Sequence, residues 1–211
     1  MRLYSFYLSS AAFRVRIALN LKGVDYETVA VNLSQGEHRE AEFLATNPQA
    51  TVPVIDDDGV VLWQSLAIID YLDSRYPTPR LIPAEPVARA RVQALAQLIV
   101  CEMHPLNNLR VRNYLRGELG LDEAGASRWY KHWIADGFTS LEALVRRFSG
   151  GRYCFADTVS AADVCLVPQV YNARRFDCDL TSYPTLVGIA DRLSTEPAFA
   201  HAAPELQPDA A

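Results

Sequence analysis

Apolar residues fall in short β-prone blocks alternating with short helical periods over the first part of the chain and at a sustained helical period over the rest. Leu3 to Tyr7 is a short strand-forming run, and from Ser10 the sequence changes to helix formers that end at Lys22-Gly23, a basic last turn followed by a helix-stop glycine. The same reading predicts strands over 26–31, 52–55 and 60–62 and helices over 40–46 and 66–76. Asp56-Asp57-Asp58-Gly59, a turn-forming cluster between two apolar runs, predicts a hairpin. Pro77, Pro79, Pro83 and Pro86 then interrupt every period. Beyond them, helical periods cover 88 to about 115, 123–148, 160 to about 172 and 185–193. Ser160-Ala161-Ala162-Asp163 has the spacing of a capping box, with Asp in place of the usual Glu or Gln.

Strand, helix, strand, then a hairpin and a helix is the thioredoxin-like order βαβαββα. The fold class is therefore α+β: a thioredoxin-like domain over 1–80 and an all-α domain over 87–211, with no internal repeat or low-complexity segment.

Composition narrows the function. The chain has 211 residues, half of them apolar, enough to bury a sizeable core. No run of about 18 uncharged apolar residues exists, and Met1-Arg2-Leu3-Tyr4-Ser5 lacks the long apolar block of a secretory signal, so a soluble cytoplasmic protein without a membrane partner is expected. A formal charge of −5 and the lack of a basic tail argue against nucleic acid as a partner. Cys101, Cys154, Cys165 and Cys178 form no C-x-x-C pair and no metal-ligand spacing, so neither a metal site nor a disulfide scaffold is expected. Their apolar or helical contexts, Leu98-Ile99-Val100-Cys101 among them, predict mostly buried, inert thiols. Thiol chemistry here would need an imported thiol.

Ser9 and Ser10 lie where the first strand gives way to the first helix. The free N–H groups and positive dipole end of a helix entrance favour an anion, so a thiolate beside either serine would be stabilised, although either serine could equally be an ordinary cap. Thr51-Val52-Pro53 precedes the third strand, where proline cannot donate to a ladder. A peptide docking there would pair with Val52 as an added strand. A cis Val52-Pro53 bond would open that backbone, but only about 5–6% of such bonds are cis in folded proteins. Gln64-Ser65 forms a second helix entrance, with an amide and a hydroxyl facing outward for a carboxylate or with Ser65 as a cap alone. A thiolate site, a backbone clamp and a carboxylate site together match the groups of glutathione.

Those segments, with Asn47-Pro48 through Val52-Pro53, Tyr76-Pro77-Thr78-Pro79-Arg80-Leu81, Met103 to Asn108, Ala162 to Val170 and Arg175-Phe176, resemble the zeta-class glutathione transferases over nearly the whole chain. That family includes maleylacetoacetate isomerase and bacterial maleylpyruvate isomerase. The resemblance implies a glutathione transferase fold, glutathione as cofactor, a homodimer and a dicarboxylate substrate. It also implies cis–trans isomerisation of maleylacetoacetate to fumarylacetoacetate by reversible thiolate addition, in which Ser9 with Ser10 would serve the sulfur. Val52 would hold the cysteinyl unit, Gln64 and Ser65 the γ-glutamyl end, and His38 and Gln49 the glycyl carboxylate. His104 and Asn108, four apart and so on one helical face, would complete the glutathione site, while Arg175 and Arg110 would bind the diacid.

Two departures qualify the match. Ala11 replaces the cysteine common after the serine pair, and Leu8 replaces an arginine common before it. The second removes a cation beside the sulfur site. Maleylpyruvate isomerisation, a transferase or dehalogenase that consumes the thiol, and a non-catalytic interaction module remain as alternatives.

Overall fold

The β-prone run near the N-terminus becomes β1 (Arg2–Ser5) and the block after the serine pair becomes α1 (Ser10–Lys22) in the computed structural model, which describes residues 1–210. Then come β2 (Glu27–Ala30), a 3₁₀ turn at Glu37–Arg39, α2 (Ala41–Thr46), β3 (Val54–Asp57), β4 (Val60–Trp63) and α3 (Ser65–Arg75). The strands form one sheet in the order β2-β1-β3-β4. β1 runs parallel to β2, with α1 as the crossover that parallel pairing needs, and antiparallel to β3, which pairs antiparallel with β4. The hairpin turns through Asp58 (φ 52°) and Gly59 (φ 90°), a pair of left-handed residues as a two-residue primed turn requires.

Helix α1 is buried nearly all round, packing on α3 through Ile68, Ile69 and Leu72 and on α10 (Pro197–Ala200). Even Arg14 and Arg16 are fully buried. A buried guanidinium must have its N–H groups satisfied. Arg16 donates to the Ala202 carbonyl at 3.0 Å, to Ser5 Oγ at 3.1 Å and to the Tyr7 carbonyl at 3.1 Å. Asn20 donates to the Ala198 carbonyl at 2.9 Å. Lys22 pairs with buried Asp73 at 2.7 Å and also donates to the Pro79 carbonyl.

These polar grips hold the chain from Thr195 onward in one compact unit with Met1–Arg80, while Leu81–Ser194 forms the other. The reading of 87–211 as one helical domain ends too late by that segment. Its attachment is a set of backbone carbonyls facing α1, which no apolar period announces.

The second unit holds α4 (Pro86–Gln97), α5 (His104–Asn107), α6 (Leu109–Gly117), α7 (Glu123–Phe148), α8 (Ala161–Arg175) and α9 (Pro184–Ser194). The single helix expected over 88–115 is broken twice. Leu98–Met103 is a π-helical turn in which the His104 N–H reaches back to the Ile99 carbonyl. It lies directly before Pro105, which has no N–H to give the Cys101 carbonyl, so an unbroken α ladder cannot run through this point. Asn108 then leaves the helix (φ −75°, ψ 166°) and caps α6, its Oδ1 accepting from the Val111 N–H at 3.1 Å. His104 and Asn108 therefore do not share one continuous helical face. Gly137 lets α7 pass this turn, since a Cβ there would lie 2.2 Å from the Met103 side chain. At the core, Ala161 to Val170 of α8 are all buried.

Cys154 and Cys165 are buried as expected, but the π turn leaves Cys101 exposed, against the expectation from its apolar context. Among the described residues, no group of acidic, histidine or cysteine side chains could hold a metal, and no helix is long and apolar enough to cross a membrane.

Candidate active site

Strand register gathers the sequence candidates of the first unit. Tyr4 of β1 lies opposite Val54, and Val54 opposite Trp63. The exit of β1 toward Ser9, the approach to β3 through Val52 and the exit of β4 into Gln64 therefore share one end of the sheet. The parallel partner β2 exits there too, toward His38. Three of these segments leave from carboxyl ends of strands, where open sheets of this kind bind ligands. Phe6, Val31, Phe43, Val52 and Val54 form a buried cluster beneath, with Tyr7 and Leu8 packed against it.

Ser9 is the N-cap of α1 (φ −72°, ψ 112°), and its Oγ accepts from the Ala12 N–H at 3.2 Å. The two readings of this serine therefore hold together. A hydroxyl whose lone pair takes a helix N–H still has its own hydrogen to donate to an anion. Ser10 is the first helical residue and only 5% exposed, so it lies under the site rather than on its surface.

Val52 precedes β3, and the Val52-Pro53 bond is cis, contrary to the base expectation for such bonds. Thr51 is bound to Asn47 and Val54 is in the sheet, whereas the Val52 N–H and C=O make no hydrogen bond among the described residues. An open donor and acceptor on one residue are what an added peptide strand pairs with.

Gln64 caps α3 with φ 71° and ψ 115°, a left-handed backbone rare for a residue with a Cβ and found where the surroundings impose it. Its side-chain amide donates to Gln49 Oε1 at 2.9 Å, tying two of the predicted residues together. Ser65 differs from expectation. Its hydroxyl points inward, is 3% exposed, and accepts from the buried Arg14 guanidinium at 3.3 Å. The entrance to α3 thus has a buried cation behind its first residue, a cation that its place within the first helix run hid.

His38 sits in the 3₁₀ turn, half-buried, with Nδ1 buried and without a partner. Burial, then the charge of Arg39, holds its pKa below the ordinary histidine value. The ring thus has an orphaned nitrogen in the turn that follows β2.

On the second unit, His104 opens α5 and Asn108 caps α6. Arg110 is exposed on α6, and Arg175 is exposed at the end of α8. Arg112 lies two residues beyond Arg110 on α6. The structure half-buries it beside Phe176, with its guanidinium carbon 4.4 Å from the ring centre. Burial pushes the Cys154 thiol well above the ordinary range and the Cys178 thiol up to about 11, so neither is primed to act.

Residues 1–74 match the glutathione S-transferase N-terminal domain family. A Vibrio cholerae protein named as a probable maleylacetoacetate isomerase is 54% identical over 99% of this chain and 97% of its own length. The holo structure of a bacterial zeta-class maleylpyruvate isomerase superposes with a TM-score of 0.98 at 48% identity, covering 100% of both chains. A Methylobacterium extorquens AM1 maleylacetoacetate isomerase with bound malonate and glutathione superposes with a TM-score of 0.93 at 41% identity, again covering 100% of both.

Proposed function

The chain belongs to the zeta-class glutathione transferases, the family of maleylacetoacetate isomerase, and from that premise we propose how its residues divide the work of a glutathione-dependent cis–trans isomerase. The substrate in this reading is maleylacetoacetate and the product fumarylacetoacetate. Glutathione, when bound, supplies a thiolate that adds to the cis double bond, leaves a single bond free to rotate, and departs to give the trans isomer.

The observation that carries the assignment is the open backbone of Val52 at the sheet end that also holds Ser9 and Gln64. Val52 aligns the cysteinyl unit by pairing with its N–H and C=O. The Ser9 hydroxyl donates to the sulfur, and the amides of the first turn of α1 add the positive end of the helix dipole. A free thiol with a pKa of about 8.5 is only a few per cent ionised at neutral pH, so this stabilisation raises both the thiolate fraction and its ability to leave. Gln64, braced by Gln49, and Ser65, backed by Arg14, hold the γ-glutamyl carboxylate. His38 takes the glycyl carboxylate, with Gln49 beside it. On the helical unit, Arg175 and Arg110 are the candidate cations for the diacid. The loss of an arginine at Leu8 leaves those two as the main cations for it. A homodimer in the cytoplasm belongs to this reading.

The deciding experiment mixes purified protein with maleylacetoacetate and follows fumarylacetoacetate with and without glutathione, with maleylpyruvate as competitor. Glutathione-dependent acceleration without sulfur in the product is the expected result. No acceleration removes the isomerase assignment, and a sulfur-bearing product makes the protein a transferase.

His38 gives a pH test. A carboxylate docked against the ring raises a pKa that burial and Arg39 hold down, so binding takes up a proton and affinity rises as pH falls. Calorimetry with S-methylglutathione, which has no titrating thiol, should show binding tighter by roughly threefold to tenfold at pH 6 than at pH 8, since each shifted pKa unit is tenfold. His38→Ala should flatten the profile. A flat wild-type profile takes His38 out of the carboxylate site.

A further inference from the structure

Phe176, the residue just past α8, shares its ring with neighbours from three helices. Tyr130 of α7 stacks on it with 4.2 Å between ring centres, Arg112 of α6 places its guanidinium carbon 4.4 Å from that centre, and Arg175 of α8 does so at 5.2 Å. The two charged carbons are therefore no farther apart than the sum of the last two distances. Their helix neighbours are neutralised: Arg116 pairs with Glu123 at 3.2 Å and Arg174 with Asp191 at 2.6 Å. Arg112 and Arg175 have no carboxylate within ion-pair distance among the described residues. Glu123 attracts Arg112 from farther off while bonded to Arg116.

Burial holds Arg112 below the ordinary arginine value, against the pull of Glu123 and Tyr130, and the charges of Arg175 and Arg116 add smaller pushes in the same direction as burial. Below them, Tyr130 is 1% exposed and its hydroxyl has no partner. Both guanidiniums act on that hydroxyl, drawing its ionisation down against the larger upward push of burial. Two guanidiniums without a carboxylate partner thus share one aromatic ring, and a buried, unpartnered hydroxyl belongs to the ring packed against it.

Arg110 has none of these features. Two positions on a helix turn the side chain about 200° around the axis, so Arg110 and Arg112 face nearly opposite ways. Arg112 lies three before buried Leu115, on the inward face, and Arg110 is exposed.

We propose that Arg112 and Arg175, braced by Phe176 and Tyr130, converge on one carboxylate of the diacid, and that Arg112 rather than Arg110 is the second cation for the substrate. The inference rests on the isomerase reading for its substrate but not for its anion. Arg112 recognises a carboxylate by charge-assisted hydrogen bonds from a fixed fork, which a lysine can match only as a point charge.

The test compares wild type, Arg112→Ala, Arg112→Lys, Arg175→Ala, the Arg112→Ala/Arg175→Ala double variant and Arg116→Ala in the full-length protein. Two measurements are made, KM and kcat for maleylacetoacetate and calorimetric binding of maleate as the anion probe. Arg112→Ala should raise KM and weaken maleate binding by on the order of 10- to 100-fold with a smaller change in kcat. Arg112→Lys should recover part of the loss, and Arg116→Ala should stay within about threefold of wild type. The double variant should lose less than the product of the single losses, because one carboxylate serves both forks. Binding of S-methylglutathione should be unchanged in Arg112→Ala, showing that the variant is folded. Equal KM and maleate affinity in Arg112→Ala and Arg116→Ala overturns the proposal, and fully multiplicative losses overturn the shared carboxylate. If the wild type isomerises nothing, the functional reading falls, and maleate binding still decides the anion site.

Discussion

Replacing Ser9 by alanine should lower glutathione-dependent isomerisation on the order of 10²–10³-fold, the usual loss when one preorganised donor to a reacting anion is removed. The donor is preorganised because its oxygen is already fixed. Ser9 Oγ accepts from the Ala12 N–H at 3.2 Å, which orients the hydroxyl before any ligand arrives. The same bond complicates the variant, since loss of a serine cap costs about 0.5–2 kcal/mol of stability. Ser9→Gly separates the two effects, because glycine at an N-cap costs only a few tenths of a kcal/mol and brings no side-chain donor. Stability should largely return in Ser9→Gly while turnover stays low. The thiol pKa of bound glutathione, followed by thiolate absorbance, should move up toward its free value in both variants. Near-normal turnover in Ser9→Gly would remove the hydroxyl from the mechanism and leave only the helix entrance.

Asp163→Ala should destabilise the fold by about 3–5 kcal/mol, the range seen when a buried charge-assisted cluster loses one member. Asp163 is wholly buried at the start of α8 and accepts from the Cys154 N–H at 2.7 Å, the Ser160 N–H at 2.9 Å and the Ser160 hydroxyl at 2.8 Å. Alanine strands those donors in the core, each at a cost of about 1–3 kcal/mol before relaxation. Burial also raises the Asp163 pKa, with the hydrogen bonds opposing it. Asp163→Asn should rescue little, because one of its amide atoms is a donor facing donors. Urea unfolding measures the effect, and a loss below about 1 kcal/mol would show that the three contacts are not holding α8.

The capping box at Ser160 and Asp163 was legible from four consecutive residues, because helix capping is a local event. So were the hairpin at Asp58-Gly59, whose turn chemistry needs no distant partner, and the α+β order of elements. Ser9 could be read as a helix entrance for the same reason, and the resemblance carried by the motifs at Ser9, Val52 and Gln64 supplied the ligand. The long helix after Ala88 failed where Pro105 and Asn108 lie, although both residues were in view. The periodicity of the flanking apolar residues outweighed a break that the backbone resolved by a π turn and a new cap.

The misjudged side chains share one cause. Ser65 turned inward to Arg14, and Cys101 turned outward on the π turn. Each outcome depends on what packs against the residue from another element, and that is absent from local sequence. By itself the sequence determined the order of elements and the helix entrances, because capping, turn geometry and period act over a few positions. Only the tertiary structure decided that Val52 keeps its backbone unpaired, that the segment after Thr195 rejoins the first unit, and that Arg112 and Arg175 both lie over the Phe176 ring. Those facts arise from contacts between residues far apart in the chain, where burial and unmet hydrogen bonds, rather than propensity, set the free energy.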